Sequence, residues 1–166
     1  MLIQKNKNIF LKILILLIIP VNIILCDPPN WDDDGNGVLD NYNDYENNGS
    51  LTSKIYSNDS DYSEIGDMIA AFVNGEQRGV GLASEVPIFL GEGIAYLMMV
   101  YSNEVDGENL TFQYYDNSSD IVHYLTEIIP FETNMIIGDV TNPFIFNLSL
   151  DNMMDPPSWD LDNDGV

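Results

Sequence analysis

Cysteine is all but missing from this chain: Cys26 is the only one in 166 residues. No intrachain disulfide can form, so the folded body has to be held by its core and by polar or metal contacts. Cations are nearly as scarce. Five Lys and Arg face 27 Asp and Glu, a formal net charge of −22, and beyond residue 26 only Lys54 and Arg78 remain. Such a surface repels nucleic acid and anionic membrane and attracts divalent cations. His123 is the one histidine. No nucleophile elbow accompanies it, so a Ser-His-Asp arrangement is not set up and the chain is not expected to be an enzyme. Helical periodicity is missing too. From residue 49 onward, apart from a weak trace at 95–101, no stretch longer than eight residues places apolar side chains at i, i+3, i+4 and i+7.

What is present begins with a leader. Lys5, Lys7 and Lys12 precede and enter an apolar run at 13–19 that Pro20 and Asn22 interrupt. This is the basic region and apolar region of a secretory signal, and it falls short of the roughly 20 apolar residues that a membrane-spanning helix needs. Residues 1–26 are therefore expected to export the protein, which places it in the medium or on the cell surface. Cys26 is either the last residue removed or, because Ile23-Ile24-Leu25-Cys26 has the outline of a lipobox, the carrier of a lipid. No other membrane contact is expected.

The segment 27–38 returns at 155–166. Asp27, Pro28, Pro29, Trp31, Asp32, Asp34, Gly37 and Val38 match Asp155, Pro156, Pro157, Trp159, Asp160, Asp162, Gly165 and Val166. A spacing of 128 residues is the length of a whole domain rather than of a solenoid repeat. The chain reads as an acidic lead-in at 27–48, one module at 49–150, and a linker with the start of a second, truncated repeat at 151–166. Each lead-in is expected to clamp a module to its neighbour.

Within the lead-in, Asp32, Asp34, Asn36, Gly37, Val38 and Asp40 occupy positions 1, 3, 5, 6, 7 and 9 of a calcium loop. Alternate residues of a loop coiled round an ion point inward, glycine takes the tight turn, and Ca²⁺ takes six to eight hard oxygens. The second copy offers Asp160, Asp162 and Asp164. Position 12 is Asn43 where an EF-hand has glutamate, so Asp44 or Glu46 is left to complete the shell. This spacing without flanking helices resembles the Asp-rich loops of dockerins and thrombospondin type 3 repeats, a resemblance that implies bound Ca²⁺ in an extracellular protein. Trp31 is expected to anchor the loop on the edge of the module; the alternative is an exposed platform for sugar stacking.

Beyond residue 49, short runs with period-two alternation are separated by turn-forming residues. Strands are expected at 50–56, 67–74, 78–83, 95–102, 109–115, 121–126 and 144–150, with 86–90 as an eighth. Asn74-Gly75, Asp106-Gly107 and 117–120 should be turns. Seven or eight short strands and no helix predict an all-β fold, an antiparallel β-sandwich carrying the Asp-rich loop at its N-terminus. The strand at 95–102, apolar on both faces, should be central. Arg78 is expected to bridge to Glu76, Asp67 or Asp116, and His123 to pack or lie at the surface.

The sequence Gly66-Asp67-Met68-Ile69-Ala70-Ala71-Phe72, then Arg78-Gly79-Val80, Tyr101-Ser102-Asn103 and Gly107-Glu108-Asn109-Leu110-Thr111-Phe112, resembles a β-sandwich module found in tandem in large secreted and surface proteins of Bacteroidetes-like and marine bacteria. The resemblance spans about 50–148 and implies architecture and location without a defined activity. The expected role is a calcium-stabilised structural or adhesive module, with neighbouring modules and extracellular polysaccharide or surface proteins as partners. The alternative is a carbohydrate-binding module serving a separate catalytic domain, for which Tyr114 and Tyr124 would form an exposed aromatic row.

Overall fold

The computed structural model describes residues 28–149, and among them the chain is all-β. Alternation does most of the building. In β1 (Asn47–Ser57), Gly49, Leu51, Ser53, Ile55 and Ser57 are buried while every residue between them is partly or fully exposed, the period of a strand with one face on a core. The other strands are β2 (Ser60–Asp61), β3 (Met68–Val73), β4 (Glu76–Glu85), β5 (Ile94–Ser102), β6 (Asp106–Asp116), β7 (Ile121–Tyr124), β8 (Ile129–Glu132), β9 (Ile136–Ile137) and β10 (Phe144–Asn147).

The strands run in the order β10-β1-β5-β4-β3-β6-β7, with β2 and β9 also beside β1 and β8 beside β6. All pairings are antiparallel except those of β1 with β9 and β10. The sheet curls into a half-barrel. Phe112 of β6 and Phe146 of β10 lie far apart in strand order, yet their rings meet at 4.7 Å. The core enclosed by the curl includes Leu51, Ile69, Tyr96, Met98, Val100, Phe112, Tyr114, Phe131 and Phe146. β5 is central, as expected, between β1 and β4. One of its faces is buried and the other leaves Leu97 and Met99 exposed.

Several expected boundaries shift. The run at 86–90 forms a 3-10 turn, Ile88–Leu90, in place of an eighth strand. Asp106 and Gly107 belong to β6, not to a turn; the chain reverses at 103–105, and Gly107 takes φ +89° where the β6–β8 register slips, as a β-bulge requires. Asn74 and Gly75, by contrast, have φ of 51° and 82° and close a tight hairpin between β3 and β4. The expected leader, and the second repeat with Trp159, Asp160, Asp162 and Asp164, lie outside the described residues.

One buried carboxylate organises the core. Asp67, 2% exposed, accepts hydrogen bonds from the amides of Glu64 (2.7 Å) and Asn117 (3.0 Å) and from the hydroxyls of Tyr114 (2.5 Å) and Tyr96 (3.4 Å). Burial, reinforced by the Asp67 charge, holds both tyrosine hydroxyls well above their usual pKa, so they remain donors. Asp67 is therefore not the partner of Arg78.

Candidate metal centre

The lead-in coils as its spacing requires. Gly35 and Gly37 have φ of +72° and +75°, a left-handed conformation that costs other residues free energy. The two turns allow Asp32 to fold back over the loop, where its carboxylate accepts from the amides of Asn36 (3.1 Å) and Gly37 (2.7 Å). Asp40 returns across the loop to accept from the Asp33 amide at 3.3 Å. One carboxylate oxygen from each of Asp32, Asp34 and Asp40 then lies within 4.8 Å of the others. The Asn36 side chain belongs to the same knot, donating to Asp34 at 2.8 Å and accepting from the Val38 amide at 2.7 Å. Asp44 is not in the cluster. It sits on the 3-10 turn Tyr42–Asp44.

No basic side chain among the described residues neutralises this cluster. Lys54 pairs with Asp61, and Arg78 pairs with Glu108 and Glu76. Carboxylates gathered without a cation repel one another. Asp32, Asp34 and Asp40, with the Asn36 amide and the Val38 carbonyl, are the donors that would hold a hard divalent ion there. The donor set is all oxygen, as calcium chemistry demands, and it fits.

The loop is seated on its own module. Trp31 is 8% exposed and packs with Ala70, Val80 and Tyr115 on the outer face of the sheet, its ring edge-on to Phe72 at 6.0 Å. Its carbonyl accepts from Gln77 Nε2 at 2.7 Å. Trp31 is thus the expected anchor, and a tryptophan so enclosed offers no face to sugar. A second fastening lies at Tyr45, whose hydroxyl donates to Glu76 (2.8 Å) and whose ring lies 4.9 Å below the Arg78 guanidinium.

Arg78 itself is the extra residue of a bulge. Ala71 pairs with Gly79 and Phe72 with Gln77, which leaves Arg78 unpaired between them and aims it across the sheet. It bonds Glu108 at 3.1 Å, and Glu108 in turn accepts from the Ser102 hydroxyl at 2.5 Å. Of the three expected partners only Glu76 is engaged, at 3.5 Å. Glu108, the closer one, lies 30 residues away in sequence, and no local pattern pointed to it. Asp116, the third, is held by Ser118, Ser119 and Tyr62.

His123 packs, as one of its two expected roles had it. It is buried against Tyr114, ring centroids 5.9 Å apart, and its Nε2 has no hydrogen-bond partner. Tyr114 is wholly buried while Tyr124 is 79% exposed, so the expected aromatic row does not form. Compared with protein-family models, with curated proteins and with solved structures, the chain finds no match.

Two buried groups set the response to acid. Burial lowers the pKa of His123 below its ordinary 6.5, against a weaker opposing pull from Asp116. The folded state then resists protonation that the unfolded state accepts, so its stabilising contribution is complete above about 6.5 and is lost as pH falls from there through the lower folded value. Asp116 has burial working to raise its pKa, but hydrogen bonds from Ser118, Ser119 and Tyr62 outweigh it and bring it below 3.8. Its contribution persists above 3.8 and disappears as pH falls through the folded value. The melting temperature should therefore drop in two stages between pH 8 and pH 2. His123→Phe should erase the upper stage and leave the lower one; melting curves of both proteins across that range check this.

Proposed function

We propose that this chain is a non-catalytic, calcium-stabilised structural or adhesive module of a secreted or cell-surface multidomain protein. The observation that carries the reading is the convergence of three carboxylates, paired with no basic side chain of the described residues, on a loop that is itself fastened to the sheet. An ion there would tie the lead-in to the sandwich at a site already shaped for it. The 128-residue return of the same motif and the resemblance to tandem modules of surface proteins support a serial arrangement, and the apolar run at 13–19 supports export.

Calcium at ten times its Kd stabilises the folded state by about 1.4 kcal/mol, and at a hundred times by about 2.7 kcal/mol. Scanning calorimetry of the mature chain in 1 mM Ca²⁺ and then in excess EDTA is expected to show a fall of several degrees in melting temperature. A double change, Asp32→Ala with Asp34→Ala, should remove most of that difference. A melting transition indifferent to EDTA sinks the metal reading. An EDTA effect undiminished in the double variant places the ion outside this loop.

A further inference from the structure

The loop between β4 and β5 carries two large apolar side chains where none should be free. Ile88 and Phe89 are 82% and 85% exposed, side by side on the 3-10 turn Ile88–Leu90. Isolated exposed apolar residues are ordinary, but this pair is built to stand out. At the neck of the loop the Val86 amide donates to the Gly93 carbonyl at 2.8 Å, and Val86 itself is buried. Above it, the Leu90 amide donates to the Pro87 carbonyl at 2.8 Å, and proline fixes the chain's direction into the turn. On the return side Gly91, Glu92 and Gly93 have φ of 132°, 60° and 98°. A non-glycine residue in that region carries backbone strain, and the Val86–Gly93 and Leu90–Pro87 hydrogen bonds restrict the backbone of the tip. Pre-ordering of this kind lowers the entropy cost of docking.

The charge beside the tip says what it meets. Glu85 and Glu92 flank it, and both are exposed. The two basic side chains of the described residues are committed elsewhere: Lys54, close to Gly93, to Asp61, and Arg78 to Glu108 and Glu76. Among the described residues neither flanking carboxylate has an ion-pair partner. An anionic bilayer would be repelled, and so would a second copy of a chain with net charge −22. We infer that the Ile88–Phe89 tip is a docking knob for a protein partner that offers an apolar pocket rimmed by Lys and Arg.

The test uses a displayed library of a small folded scaffold with a randomised concave surface, selected on the mature protein without bias toward any epitope. Ile88→Ser with Phe89→Ser is the variant. Ile136→Ser, which removes another exposed apolar side chain at 81%, is the control. Both variants should melt with the wild type, since these side chains are solvent-exposed. Most selected clones are expected to lose tenfold or more in affinity on the tip variant and little on the control, to carry Lys and Arg around apolar residues, and to weaken as salt is raised. Clones that bind the tip variant as tightly as the wild type, or that show no basic enrichment, overturn the inference. Co-sedimentation with phosphatidylcholine vesicles that the tip variant loses, or self-association that it loses in sedimentation velocity, overturns it as well, in favour of a lipid surface or a second copy.

Discussion

Asp67→Ala should cost about 3–5 kcal/mol of unfolding free energy, the largest loss expected from any single polar side chain here. Asp67 is the common acceptor for two backbone amides and two tyrosine hydroxyls. Alanine would leave the two buried tyrosine hydroxyls and two part-buried amides without their acceptor, and each unsatisfied buried group costs about 1–3 kcal/mol before relaxation. Asp67→Asn keeps one carbonyl oxygen and replaces the other acceptor with a donor, so it should lose roughly half as much. Urea unfolding of the three proteins at constant m-value measures both. A loss below about 1 kcal/mol for the alanine variant would mean that the four donors find other partners.

Trp31→Ala should be nearly as severe, at about 3–5 kcal/mol for a large aromatic taken from a packed site, but its effect should be local. Trp31 closes the outer-face cluster over Ala70, Val80 and Tyr115, whereas the main core lies on the inner side of the sheet. The lead-in is expected to detach while the half-barrel stays folded. Hydrogen exchange checks this amide by amide. Gly37 and Asn36, bonded to Asp32 within the loop, should lose protection, and β5 should keep it. Calcium binding should weaken in the same variant, because the loop would have to be ordered at the moment of binding. Equal loss of protection in lead-in and sheet would mean that Trp31 holds the whole module together.

Most of the fold was legible because alternation is a strong signal wherever one face meets a core. β1, β3, β4, β5, β6, β7 and β10 overlap the seven expected segments. The three strands missed are those too short or too irregular to show a period. β2 and β9 have two residues each, and β8 carries Pro130, which lacks the amide that a ladder uses. The apolar run at 86–90 misled for the converse reason: hydrophobicity normally marks a buried strand, and here Ile88 and Phe89 face solvent. In the candidate metal centre the spacing of positions 1, 3 and 9 named Asp32, Asp34 and Asp40, whose carboxylates lie together. It could not place Asp44, because the turn Tyr42–Asp44 carries the chain on toward β1. The Arg78–Glu108 pair depends on a bulge and on strand order, neither of which a local pattern encodes.

The parallel pairing of β1 with β10 fixes how the module answers a pull. The chain enters β1 at Asn47 and leaves β10 at Asn147, and Ser53 to Tyr56 lie in register with Phe144 to Asn147. Tension between those two ends runs along the strand axes, so it strains every hydrogen bond of that ladder at once instead of opening them in turn like a zip. A thread of such units would resist stretching up to a sharp rupture force, and would yield by the sliding of its first strand past its last.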